Sequence, residues 1–329
     1  MENGAGNSGL MLFGLDGSER SLRGVAFFLS YFILSVLAAS LLTVPLYRLV
    51  ECVDFYIIPL TDGYIRENLE RLSSYLLGKN LNVYFKRAYM FSLLVGLPVI
   101  MKCFKTSSLK TLGFDFSGKN IAAAGKLCAL GVLVIGICAL CQIFFGNSEL
   151  KVRPPNFAFK LSTTIISAFL VAFFEEAVFR GIVFRLFYTA WRGMAAIILS
   201  SLFYAYMHFG TVIPFVPNGC TEIGTGFEIG FGAVFGIACK FSAVKFFVLF
   251  FLGTAIGQIY LRRKTLIPCV GFHGGIVFMM LMYKSFFRVE NPDLFWGGSS
   301  FTDGIFPLLT VILINIAIYF SQKRRGRAS

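Results

Sequence analysis

The sequence predicts an all-α membrane protein, a polytopic bundle of about eight transmembrane helices enclosing an intramembrane polar site. Three observations carry this prediction. Hydrophobic residues fill 57% of the 329 positions, charged residues only 14%, and the mean hydropathy is +0.75; a soluble domain carries roughly 25% charge. The apolar residues gather into runs of about 17–25, the length a bilayer core requires. The two histidines of the chain, His208 and His273, and the adjacent acids Glu175 and Glu176 all lie inside such runs, where ionisable groups are costly and mark function.

Residues 1–23 form a Gly-rich polar tail that ends near Arg20 and Arg23. The run Val25 to Leu46 is longer than a signal-peptide core and reads as a first span that stays in place, with cleavage near Leu37-Ala38-Ala39-Ser40 as the alternative. Across residues 51–87, Arg66, Glu67, Glu70 and Arg71 mix with Leu and Tyr at helical spacing, an amphipathic pattern suited to the membrane surface. Seven further spans follow: Ala88 to Phe104, Ile121 to Phe145, Leu161 to Phe179, Met194 to Phe209, Phe241 to Leu261, Leu266 to Met282 and Phe306 to Phe320. The Gly-rich stretch Gly210 to Gly236, with Pro214 and Pro217, reads as a long irregular loop, or as a re-entrant one, and loops of that length are often functional.

The net charge is +13, and its Lys and Arg cluster at the ends of apolar runs, as in Arg262-Arg263-Lys264 and Lys323-Arg324-Arg325. Without interleaved aromatics these clusters exclude a nucleic-acid surface; they set topology and touch anionic headgroups. An even number of spans puts both termini on one side. Basic residues favour that side, together with the loops at 102–119, at Arg185 and Arg192, and at 262–264, which predicts cytoplasmic termini. The eight cysteines lie mostly within or beside apolar runs and read as small packing residues rather than a disulfide framework. No internal repeat, P-loop, G-x-S-x-G or H-E-x-x-H pattern occurs. Function must therefore reside in the polar residues within the bundle.

Glu176 and Arg180 are four residues apart on one helical face, a spacing that allows an ion pair. Glu175, about 100° round the helix, is free to point elsewhere. A blander reading leaves both acids solvated at a helix end with Arg180 reaching the interface. In the next span Tyr204 and His208 stand at i and i+4, and in the seventh His273 sits among Gly271, Gly274 and Gly275, glycines that let neighbouring helices approach closely.

Taken in order, E-E-x-x-x-R, aromatic-x-x-x-H and a later intramembrane His resemble the CAAX protease and bacteriocin-processing family, the type II prenyl-endopeptidase-like intramembrane proteases. The likeness covers residues 161–282, a protease-like core that divides the remainder into N-terminal helices at 24–160 and a last loop, helix and basic tail at 283–329. It implies an endopeptidase that hydrolyses a peptide bond near the C-terminus of a membrane-associated, prenylated or unprenylated, protein or peptide. It further implies that Glu175 activates a water with His208 assisting, that His273 orients or stabilises the oxyanion, and that Glu176, Arg180 and Tyr204 support them. A desolvated glutamate is a usable base.

Two positions depart from the family pattern. Tyr204 replaces a usual Phe, and Val277 stands where Asn or Asp is usual, four residues after His273. A missing oxyanion donor costs on the order of 3 kcal/mol, so an inactive immunity or scaffold protein is the alternative function, with Cys269 or Gln258 as substitute donors. A proton-coupled transporter is a further alternative, since intramembrane Glu and His also relay protons. Glu175, His208 and His273 match the three-ligand count of catalytic zinc. Zinc is thus an optional cofactor, and no other is implied.

Overall fold

The computed structural model describes residues 18–103, 108–146, 148–151, 156–191, 193–209, 222–235 and 241–326. These form twelve α-helices joined by short π and 3-10 turns, with one three-residue strand pair. The chain divides into two compact units, residues 1–25, 101–206 and 242–329 in the first and residues 26–100 and 207–241 in the second.

The second unit is built from most of α1 (Ser18–Cys52), α2 (Gly63–Leu77), most of α3 (Leu81–Cys103) and α9 (Ile223–Phe235). Val36 and Ala39 of α1, Leu81, Phe85 and Ala88 of α3, and Ile229 and Ala233 of α9 bury one another in its core. α1 continues through a π turn and a 3-10 turn to Leu60. In α2, Arg66 pairs with Glu70 at 2.9 Å and Arg71 with Glu67 at 2.5 Å, both pairs exposed. Ser73, its one buried residue, is hydrogen-bonded to Asp54.

The loop expected at 210–236 is corrected by α9, which occupies most of its second half. The glycines there do not break the helix. A Cβ at Gly226 would overlap the carbonyl oxygen of Ser40, and one at Gly230 the Ser40 hydroxyl, so the two residues, one turn apart, are the flat face on which α1 rests. Pro214 and Pro217 lie outside the described residues.

The first unit contains α4 (Leu109–Leu112), α5 (Gly118–Phe145), α6 (Phe157–Val178), α7 (Phe184–Trp191), most of α8 (Gly193–Phe209), α10 (Ala243–Arg263), α11 (Ile267–Phe286) and α12 (Ile305–Gly326). Its tightest packing joins α5 to α11. Added Cβ atoms at Gly271 and Gly275 would overlap the carbonyl oxygens of Ala124 and Cys128, and one at Gly131 the carbonyl of Phe272. α12 is tied to α10 by polar groups: Asn315 Oδ1 accepts from Thr254 Oγ1 at 2.7 Å and from Gln258 Nε2 at 3.0 Å. β1 (Ser148–Leu150) pairs antiparallel with β2 (Phe287–Val289), linking the end of α5 to the end of α11. Strands of three residues leave no alternation for a sequence reading to detect. Cys138 and Cys141, three residues apart on α5, are free thiols, and Cys138 donates to Thr310 at 3.7 Å.

Five segments among the described residues are long and apolar enough to cross a bilayer: Leu29–Leu60, Gly118–Phe145, Phe157–Tyr188, Ala243–Arg263 and Ile267–Phe286. Gly193–Phe209, Ile223–Phe235 and Ile305–Ser321 are shorter apolar helices. The protein is an all-α integral membrane protein, but the count of eight spans is not carried over. α3 covers most of the expected second span, with Lys86 and Arg87 just before it and Lys102 near its end.

Close contact at Gly275 yields the first prediction. Gly275→Ala forces α11 off α5 and is expected to destabilise the fold by about 1–3 kcal/mol, read as a lower midpoint of thermal unfolding in detergent; an unchanged midpoint would contradict the packing described.

Candidate active site

α6 does not end at the acids. Through a π turn at Phe179–Val183 it runs on into α7, so that Glu175 and Glu176 stand well inside an apolar segment that extends from Phe157 to Tyr188. This overturns the span end expected at Phe179 and the solvated-end reading of the acids. Arg180 and Arg185 suggested a boundary, yet both are buried, each 2% exposed. Arg185 donates to Tyr260 Oη at 2.5 Å and to the Thr111 carbonyl at 2.7 Å, so it is an interior fastener rather than a loop residue.

Glu176 has no exposed surface, and its Oε1 is the meeting point of the site. Arg180 Nη1 lies 3.1 Å away and His273 Nδ1 2.8 Å away. The ion pair that the i, i+4 spacing allows is therefore formed. Arg180 is further satisfied by a hydrogen bond from Nη2 to the Gly253 carbonyl at 3.1 Å, and its guanidinium sits 4.8 Å from the centre of the Tyr204 ring. Tyr204 is itself packed edge-on against Phe179 and, at 6.3 Å, against the His273 ring. A buried charge needs this many partners, because desolvation otherwise outweighs the attraction.

Since Glu176 Oε1 also receives Arg180, it acts as a carboxylate acceptor, and His273 Nδ1 carries the hydrogen between them. In the neutral ring the lone pair is then at Nε2. That nitrogen lies 3.8 Å from Glu175 Oε2, beyond hydrogen-bonding distance. The Glu175 side chain is 26% exposed where Glu176 is fully covered. Only Glu175 of the two therefore keeps exposed side-chain surface, although its Oε2 is itself buried.

The structure thus joins Glu175, Glu176, Arg180, Tyr204 and His273 in the first unit. Val277 is buried on α11, one turn after His273. His208 is in the last turn of α8 and belongs to the second unit. The proposed substitute donors are engaged elsewhere: Gln258 donates to Asn315, and the Cys269 thiol to the carbonyls of Ile256 and Thr265. Gly253 was not singled out from sequence, because a backbone acceptor leaves no side-chain signature; its one trace is the Gly253-x-x-x-Gly257 spacing of close helix contact. Among the described residues no three His, Cys, Asp or Glu side chains converge as metal ligands. Zinc therefore finds no ligand set among the described residues.

Residues 157–279, less than half of the chain, match the family model for Type II CAAX prenyl endopeptidase Rce1-like proteins. The matched segment contains every residue of the cluster, and the match agrees with the CAAX protease family that the motif order resembles. Membership supports a membrane protease in general terms. Neither the curated proteins nor the solved structures contain a match to the chain.

The cluster is expected to behave as one electrostatic unit. Arg180→Met leaves the buried Glu176 charge with a single partner and should cost about 3–5 kcal/mol, whereas the double variant Glu176→Leu with Arg180→Met should recover part of that loss. Thermal unfolding of the purified protein measures both, and equal losses in the single and double variants would argue against the coupling.

Proposed function

We propose that the protein is an intramembrane endopeptidase that hydrolyses a peptide bond near the C-terminus of a membrane-associated protein or peptide, with Glu175 as the base. The observation that carries this reading is the contrast between the two adjacent acids. Glu176 is fully buried, with Arg180 and His273 both on its Oε1, while Glu175 keeps a partly exposed side chain whose Oε2 lies 3.8 Å from His273 Nε2.

In this mechanism Glu175 takes a proton from water as the water oxygen bonds to the scissile carbonyl carbon. The carbonyl π electrons move to its oxygen. Collapse of the tetrahedral intermediate then breaks the C–N bond, and the proton held by Glu175 passes to the leaving amine. Glu176 fixes the orientation of His273 through Nδ1, and the family likeness assigns His273 to orienting or stabilising the oxyanion. His208 is assigned an assisting role by the family likeness.

A second reading rests on Val277. This side chain cannot donate a hydrogen bond, and a missing oxyanion donor lowers rate on the order of 100-fold. A catalytically weak or inactive member, acting as a membrane immunity or scaffold protein, is consistent with that residue.

Cleavage of a quenched prenylated C-terminal peptide by the detergent-purified protein separates the readings. Glu175→Gln is expected to abolish cleavage while leaving the thermal midpoint near that of the parent; retained activity would remove Glu175 as the base. Val277→Asn is expected to raise the rate on the order of 100-fold if the site lacks only that donor, and silence in parent and variant alike favours the non-catalytic reading. Because no metal-ligand group converges among the described residues, activity is expected to survive a zinc chelator, and its loss would restore the metal.

A further inference from the structure

Between α5, α10 and α12 the first unit contains a groove of about 280 Å³, with Leu127, Ile259 and Ile318 among its walls and Arg262 and Arg263 at the end of α10. Arg262 Nη1 donates to the hydroxyl of Ser321, also in the lining, at 3.4 Å. The volume falls just below the range of about 300–1,000 Å³ typical of whole small-molecule ligands. It suits a length of hydrocarbon chain whose polar end remains outside.

The charge at that end is one-sided. Both arginines are exposed, no acidic residue lines the groove, and the sequence after Ser321 continues Gln322-Lys323-Arg324-Arg325. An apolar slot closed by two guanidinium groups complements one molecule abundant in a bilayer, a phospholipid of net negative charge; basic pockets between transmembrane helices recognise such headgroups. A zwitterionic lipid would set its own cation against the arginines.

We propose that this groove holds one anionic phospholipid as a resident ligand, its acyl chain along Leu127, Ile259 and Ile318 and its phosphate at Arg262 and Arg263. The site is separate from the acid cluster. Gly253, which binds Arg180, precedes Arg263 by ten residues on α10, about 15 Å along the helix axis. The proposal does not depend on the protease reading.

Native mass spectrometry of the full chain, delipidated and returned to detergent, tests it by adding phosphatidylglycerol, phosphatidylcholine, inorganic phosphate or a farnesylated peptide. One phosphatidylglycerol per chain is expected, held more tightly than phosphatidylcholine by a factor on the order of ten or more. Two variants remove different halves of the site: Arg262→Gln with Arg263→Gln deletes the charge, and Ala317→Phe fills the groove at another lining position. Each should lose the preference while its lipid-free thermal midpoint stays near that of the parent, and if one lowers that midpoint the other decides. Equal retention of phosphatidylcholine, or phosphatidylglycerol binding unchanged in a folded variant, would overturn the proposal. So would a stabilisation by phosphate alone equal to that by the lipid, or displacement of the lipid by the farnesylated peptide, which would make the groove a substrate subsite.

Discussion

One carboxylate oxygen organises the centre of the first unit. Glu176 Oε1 accepts from Arg180 and from His273 at the same time, in a side chain with no exposed surface. In an apolar interior neither the acid nor the guanidinium is tolerable alone, since each carries a desolvation penalty of several kcal/mol. Burying them together fixes the distance of α6 from α11 through His273 and from α10 through the Gly253 carbonyl. The glycines of α11 serve the same end. Gly271 and Gly275 press one side of that helix onto α5, which holds the helix carrying His273 at a defined depth.

Adjacent residues on a helix point about 100° apart, and the consequence here is a division of labour between two chemically identical side chains. The acid turned inward becomes a fixed counter-ion that sets the histidine tautomer. Its neighbour keeps partial exposure. Neither residue could serve both purposes, because a carboxylate oxygen held by an arginine is a poor base, and a partly exposed acid cannot anchor a buried guanidinium.

The membrane class, most helices and the Glu176–Arg180 pair were legible in the sequence, since each rests on run length or on i, i+4 spacing. Glu176 and Arg180 could be paired on spacing alone. Less accessible were features that arise only when helices meet. The His273 contact with Glu176 spans 97 positions in the chain, and the Gly253 acceptor is a backbone atom. The glycines between 222 and 235 looked like loop residues because composition does not tell a helix breaker from a flat packing face; Ser40 opposite Gly226 and Gly230 decides it. Likewise Arg185 looked like an interfacial charge, since nothing local to it announces Tyr260 and Thr111.

The π turn between α6 and α7 explains how both buried arginines reach the same neighbour. In an uninterrupted α-helix, residues five apart point about 140° away from each other, so Arg180 and Arg185 could not both face α10. The Phe184 amide instead bonds to the Phe179 carbonyl, and with such i to i+5 bonding, residues five apart fall nearly in register. Their targets on α10, Gly253 and Tyr260, are seven apart, two turns along one face. Two cations are thereby laid as successive rungs between neighbouring helices, one to a carbonyl and one to a phenol. The extra residue of the turn lies directly after the acids, so removing it would rotate Arg185 off Tyr260 while leaving the α6 phase at Glu175 and Glu176 intact.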